Sequence, residues 1–195
     1  MYFQIALCGN FIDLEPLCEA HREDLRPLAE EETNWRYFPY NASGSAFDEW
    51  IDQTIQNMKR GLHLAYVVRD RNNKQVLGTT RYYEIKPDHQ KLTIGHTWYI
   101  PEIRGSVVNP ESKFLLLQNA FEALEINRVE FNADSRNAHS IGAIKKLGAK
   151  QEGILRQHTM THTGYIRDTV IFSILKSEWP HVKEKLQQRI NSSKS

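Results

Sequence analysis

The spacing of apolar positions changes several times along the chain, and each change marks an element. Residues 2–17 ("YFQIALCGNFIDLEPL") read as a strand or a short hairpin interrupted at Gly9-Asn10. Residues 19–31 form a charged helix with Leu25 and Leu28 on its inner face, and residues 33–41 ("TNWRYFPYN") an aromatic loop. Phe47, Trp50, Ile51, Ile55 and Met58 recur at helical spacing, and Gly61 stops that helix. Residues 62–70, 75–85 and 91–100 alternate as a second, third and fourth strand, joined by short turns into an antiparallel meander. The next run, Asn109 to about Glu125, is apolar at 114, 115, 116, 117, 120, 121 and 124, a surface wide enough for a helix buried between layers. A fifth strand follows over 127–134. Then comes a helix with Ala138, Ile141, Ile144 and Leu147 inward and Gly148 as its stop. A hairpin turning at Thr163-Gly164 and a last helix from about Ser177, burying Val182, Leu186 and Ile190, complete the order. Both antiparallel and crossover connections occur, so the expected fold is α/β (α+β), a mixed, mostly antiparallel sheet with helices on both faces.

Composition narrows the picture. The chain has 195 residues, 40% hydrophobic and 25% charged, which suits one globular domain over 1–195. Its core is expected at about 10–180, with a C-terminal helix over 177–190 and a frayed tail at 191–195. No long apolar span or signal-peptide pattern occurs, so a soluble protein with no membrane association, not secreted, is expected. A net charge of +1 argues against bulk nucleic-acid binding. The two cysteines, Cys8 and Cys18, give no disulfide framework and suit a reducing cytoplasm; both read as small buried hydrophobes.

The stretch "RGSVVNPESK", Arg104 to Lys113, carries the first chemical signal. One reading is local: Asn109 caps the helix, Pro110 takes its first position and Glu111 suits its dipole. Another is that a glycine-containing loop entering a buried helix offers free backbone N–H groups to a phosphate. Spacing alone leaves both open. A P-loop nucleotide enzyme is disfavoured because no Gly-Lys-Ser/Thr follows.

Three segments then resemble the GNAT superfamily of acyl-CoA N-acyltransferases. "TIGHTWYIPEIRG" is similar to the family's fourth strand and its exit. "DSRNAHSIGAIKKLGAKQEGILR" resembles the N-x-x-S … K-x-G-x-x-x-E-G-x-x-R segment of the branch that includes ribosomal-protein N-terminal acetyltransferases. "YIRDTVIFSILKSEW" resembles that branch's closing strand and helix start. The likeness covers Leu14 to Trp179. It implies fourth and fifth strands that splay apart, with coenzyme A along the freed edge and its pyrophosphate on the N–H groups of Gly105, Ser106, Val107, Val108 and Asn109. The sequence departs from the family in three places. Val107 and Asn109 stand at the loop's two usual glycine positions, after Arg104 at its first; Thr93 stands where the branch often has Glu; Ile144 replaces a Tyr acid.

The resemblance implies acetyl transfer from acetyl-CoA to a primary amine, a protein N-terminus or a small amine, by direct attack. The departures keep a non-catalytic coenzyme A-binding protein as the alternative. The backbone of Trp98, Tyr99 and Ile100 is expected to hold the pantetheine arm, with a Tyr99 N–H as oxyanion donor. Asn137 and Ser140 share a helix face: Asn137 as pantetheine contact or simple helix cap, Ser140 as acid for the thiolate or merely exposed. Asn132 joins them on the arm. Glu84 is the candidate base, sharing its face with Tyr82, against a solvated strand-end carboxylate. His96 reads as a core or pocket histidine and Tyr165 as a lining residue on the acceptor side. The aromatic loop either lines that side or seals the core edge. Lys145 and Lys146 read as a solvated helix face, with the alternative that one of them meets a coenzyme A phosphate. His158 and His162, four apart on a strand with no third ligand, argue for no metal. A monomer or homodimer is expected.

Overall fold

The computed structural model describes residues 5–192. The start of the first expected strand and the last three residues of the expected tail lie outside them. Eight strands form one sheet in the order β1-β2-β3-β4-β5-β6-β8-β7. The opening stretch is a hairpin, β1 (Leu7–Cys8) and β2 (Ile12–Pro16), so each later strand moves up one place from the sequence reading. The meander is β3 (Leu64–Asp70), β4 (Val76–Lys86) and β5 (Lys91–Tyr99); β6 (Arg128–Asp134), β7 (Lys150–Met160) and β8 (Ile166–Leu175) follow. All pairs are antiparallel except β5 with β6. No helix among the described residues is long and apolar enough to cross a membrane.

Helices α1 (Arg22–Ala29) and α2 (Phe47–Lys59) cover one face. The other carries α3 (Val108–Gln118) and α5 (Trp179–Asn191), whose contact includes Phe114 and Trp179 with ring centroids 6.0 Å apart. The short α4 (Ala138–Lys146) packs beside β6. Strand alternation divides the side chains of β4 between the faces. Tyr82 points to α3, its hydroxyl donating to the Leu116 carbonyl at 2.5 Å, while Arg81 lies near the Trp50 ring of α2.

The helix after β5 differs from its expected form at both ends. It begins at Val108, with Val107 in the cap position and no side-chain cap; the Ser106 hydroxyl instead accepts from the Val108 N–H at 3.2 Å. Asn109 is therefore not the cap, and its side chain takes a hydrogen bond from the Tyr99 hydroxyl at 3.4 Å. After Gln118 the coil widens into a π-helical turn over Asn119–Ala123, where Asn119 donates to the Tyr82 hydroxyl at 3.3 Å. The last helix also tightens first through a 3-10 turn over Lys176–Glu178.

The polar residues between Asn109 and the apolar run are buried, and each has a partner. Ser112 donates back to the Val108 carbonyl at 2.8 Å. Glu111 accepts from the N–H groups of Asn10, Phe11 and Ile12 at 2.6, 2.8 and 3.0 Å, closing the β1–β2 turn onto α3. Gly9 keeps this space open: a Cβ there would sit 2.8 Å from both the Glu111 carboxyl carbon and the Ile12 carbonyl oxygen. The cysteines depart from expectation, since both are exposed. Cys8 lies in a two-residue edge strand, and Cys18 heads a short turn where its Sγ meets His21 Nδ1 at 3.4 Å. Ala138, expected inward, is also exposed.

Replacing Glu111 with Ala leaves three turn amides without their acceptor. We expect a loss of about 3 kcal/mol in urea unfolding, since each buried unsatisfied group costs about 1–3 kcal/mol and the turn can partly rehydrate. Glu111→Gln, which keeps one acceptor oxygen, should lose less.

Candidate active site

The site is built on a failure of strand pairing. The β5–β6 ladder joins only Lys91–Thr93 to Arg128–Glu130, and beyond it the two strands diverge. A bulge in β5 sets the divergence. Thr79 pairs with Trp98 and Arg81 with Gly95, so β5 carries one extra residue, and His96 there takes φ +48°. Gly78 allows β4 to follow closely, because a Cβ on it would overlap the Trp98 carbonyl. The gap is a cleft of about 520 Å³ between β5, β6, the start of α3 and α4.

Backbone direction on β5 follows from one bond. Ile100 N–H donates to the Leu77 carbonyl at 2.9 Å, so residues 98 and 100 face β4 and the intervening Tyr99 N–H and carbonyl face away, toward the gap. Arg104 reaches that carbonyl at 3.5 Å while also bonding Asn34 Oδ1 at 2.9 Å. At the mouth of α3 the N–H groups of Gly105, Val107 and Asn109 have no acceptor among the described residues.

Eight of the residues expected to hold coenzyme A line the cleft: Tyr99, Arg104, Gly105, Ser106, Asn109, Asn132, Asn137 and Ser140. Trp98, Ile100, Val107 and Val108 do not; they are buried or half-buried behind it. Asn137 caps α4, its Oδ1 accepting from the Ser140 N–H at 2.9 Å, while both residues still line the cleft. Asn132 donates to the Tyr83 hydroxyl at 3.3 Å and leaves a buried Oδ1 without a donor.

Glu84 does not meet its expectation. It lies outside the cleft, exposed, in an irregular part of β4 with φ +48°, and accepts from Thr93 Oγ1 at 3.1 Å. Asp134 is the only carboxylate among the described lining residues. Burial would raise its pKa, but the Arg136 guanidinium, 2.6 Å away, outweighs that and holds it below the usual range. Tyr165 does not line the cleft; Arg136 lies over its ring at 3.6 Å. The aromatic loop seals the core edge through Trp35, fully buried and donating to the Ala29 carbonyl, while its Tyr37 and Phe38 line the cleft. Lys146 reaches the cleft edge. His158 and His162 engage separate partners, Thr169 Oγ1 at 3.1 Å and the Phe38 carbonyl at 3.3 Å.

Sequence reasoning missed three cleft groups, Tyr83, Arg167 and Lys113, and placed a fourth, His96, only as a core or pocket histidine. Tyr83 spans the fork of the gap, 4.7 Å ring to ring from His96, and burial keeps its phenol protonated by raising its pKa. His96 receives or donates a bond with Tyr40 at 2.8 Å, and burial holds its pKa well below the usual value, leaving a neutral imidazole. Arg167 binds the Tyr37 carbonyl at 2.7 Å and keeps a buried Nε unpartnered. Lys113 projects from α3 to Thr80 Oγ1 at 3.0 Å and Thr97 Oγ1 at 2.6 Å, and burial lowers its pKa to about 7. The signal for Lys113 was present: a lysine one position before an unbroken apolar run on a helix with no exposed side.

The family model described as "Acetyltransferase (GNAT) domain" matches residues 12–150, more than half of the sequence, and the chain belongs to this family. Among curated relatives, "Putative ribosomal N-acetyltransferase YdaF" of Bacillus subtilis (strain 168) is 30% identical over 74% of this chain and 78% of its own. "Uncharacterized N-acetyltransferase YoaA" of the same organism is 29% identical over 60% of this chain, and the match spans only 64% of that protein. A GCN5-related N-acetyltransferase from Brucella melitensis superimposes with TM-score 0.88 at 28% identity, covering 97% of this chain and 86% of that one. At 19% identity, a spermidine N-acetyltransferase from Vibrio cholerae in complex with CoA and spermine shares the fold, with TM-score 0.76 over 88% of this chain and 99% of that one.

The buried Lys113 makes a pH signature. Its folded pKa of about 7 lies below the unfolded value, so between about pH 7 and 10 the unfolded chain holds the extra proton. Its unfavourable contribution is therefore full below pH 7 and relieved as pH rises, at up to about 1.4 kcal/mol per unit. The stability advantage of Lys113→Met over wild type should be largest at pH 6 and shrink steadily to pH 10 in parallel urea titrations.

Proposed function

We propose that the chain transfers acetyl from acetyl-CoA to a primary amine by direct attack. The observation that carries this reading is the unpaired edge of β5, where the Tyr99 N–H faces a cleft that opens at the free amides of α3. Family membership supplies the reaction class, and the Vibrio cholerae fold neighbour, in complex with CoA and spermine, is consistent with the same donor. In this reading the free N–H groups of Gly105, Val107 and Asn109 bind the pyrophosphate, and Arg104 fixes the loop. Asn132 Oδ1 accepts a pantetheine amide N–H, which gives that orphaned oxygen a partner.

The amine nitrogen forms a bond to the thioester carbonyl carbon, and the carbon–sulfur bond then breaks. Negative charge develops first on the carbonyl oxygen, where the Tyr99 N–H stabilises it, a contact of a type worth about 3–4 kcal/mol. The departing thiolate takes a proton from Ser140 or from Tyr83, whose phenol is held protonated. The described lining residues include no free carboxylate, since Asp134 is paired with Arg136, so the amine's proton leaves through water or the neutral imidazole of His96.

Acetyl-CoA should raise the melting temperature by mass action, more than fragments lacking the ADP moiety. No shift at millimolar acetyl-CoA would remove the assignment. Free thiol release with an amine panel distinguishes the enzyme from a coenzyme A-binding protein without catalysis.

Asn137→Ala should chiefly raise KM for acetyl-CoA, and loss of the cap should cost about 1 kcal/mol of stability as well. Ser140→Ala should lower kcat about 100-fold if its hydroxyl is the proton source. An unchanged kcat, with chemistry limiting, transfers that role to Tyr83, and Tyr83→Phe should then show the loss.

A further inference from the structure

A second pocket of about 360 Å³ opens beside the cleft, between α2 and the meander, and His96 lines both. Arg81 of β4 lines this pocket and is only 3% exposed. Its Nε and Nη2 have no hydrogen-bond partner, and Nη1 reaches only His63 Nδ1, at 3.4 Å. Its guanidinium carbon stands 5.8 Å from the Trp50 ring centre. No carboxylate among the described residues pairs with it. A guanidinium stays charged when buried, and a buried charge without a partner is unfavourable unless something else supplies one.

We propose that this pocket receives the carboxylate of the acceptor, so that the amine acetylated is one that also carries a carboxylate. The inference rests on the acetyltransferase reading and adds the acceptor class to it. The unused Nε and Nη2 are the edge of a guanidinium that matches a carboxylate with two parallel hydrogen bonds. Arg81 is the only cation lining the pocket among the described residues, since burial holds His63 near pKa 4 and keeps His96 neutral. Glu49, an exposed carboxylate among the lining residues, opposes a dianion such as phosphate. Gln53 and Asn57 add neutral hydrogen-bonding groups, and the Trp50 ring covers the connecting carbons. With its carboxylate at Arg81, an acceptor extends past His96 into the cleft, where its nitrogen meets the thioester.

The test contrasts amines that differ only in the carboxylate: glycine, alanine and β-alanine against their amides. Thiol release from acetyl-CoA should favour the acids by about 100-fold in kcat/KM, the range expected when a buried charge loses its partner. In Arg81→Gln the preference should disappear, and in Arg81→Lys part of it should remain. A readout without turnover uses the product class: N-acetyl-β-alanine should raise the melting temperature of the wild type and N-acetyl-β-alaninamide should not. The wild-type acid–amide contrast stands even if Arg81→Gln fails to fold. Equal response to acid and amide, or an acid response kept in a folded Arg81→Gln, overturns the proposal. A melting shift with coenzyme A in the same experiment separates the two ideas. If it is present while the acids have no effect, the pocket assignment fails and the transferase reading survives; if it is absent while the acids act, the reverse holds.

Discussion

The structure turns on the point at which β5 stops pairing with β6. A sheet interior ordinarily keeps its ladders, because an unpaired buried backbone group forfeits a hydrogen bond. Here the ladder ends after three register positions, while β6 stays paired with β8 along its whole length. The extra residue at His96 turns β5 away, and the ring at that left-handed position is bonded by Tyr40 and met by Tyr83 in a near-perpendicular contact. The released edge is a row of donors and acceptors that a ligand with amide groups can complete. In that sense the cleft is a vacancy in a sheet, shaped by the same rules that make the sheet.

Such an opening needs rigid walls, and α3 supplies one. Its first two turns hold Glu111, Ser112 and Lys113, all buried, and each serves a different neighbour. Glu111 closes the first hairpin, Ser112 tightens its own helix, and Lys113 bridges Thr80 and Thr97 on either side of the β4–β5 seam. The "NPESK" stretch thus joins three layers of the fold directly below the amides proposed for phosphate. On the opposite face of β4, Arg81 is as buried as Lys113 but has no such partners. The two cations are one face apart on neighbouring positions of a single strand's surroundings, and only one of them is satisfied by the protein.

Most of the architecture was legible from periodicity. The meander, the final hairpin at Thr163-Gly164 and the core positions of α2 and α5 follow from apolar spacing and turn chemistry. The cap at Val107 was not legible, because a hydrophobic residue in that position carries no signature and the Ser106 hydroxyl acts from one residue earlier. Asn109 looked like a cap by type but is committed to Tyr99. Glu84 looked like a base because strand alternation placed it with Tyr82; the irregularity in β4 breaks that alternation and turns it to solvent. Arg81 was overlooked for the converse reason. An arginine in an alternating strand reads as an outward position, and only the packing of α2 over it makes that face an interior. The cleft backbone at Tyr99 was reached through family resemblance, since hydrogen-bond direction is invisible in composition.

The carboxylate of Glu111 also has a consequence in time. The three N–H groups that donate to it lie 99 to 101 residues earlier in the chain. During synthesis at about 5–20 residues per second, the amides of Asn10, Phe11 and Ile12 leave the ribosome roughly 5–20 s before the group that satisfies them. The first hairpin therefore spends that interval without its lock, and its two-residue strand β1 has little ladder of its own to rely on. The turn of the first hairpin is thus closed only once α3 has been made, about a hundred residues after its own amides.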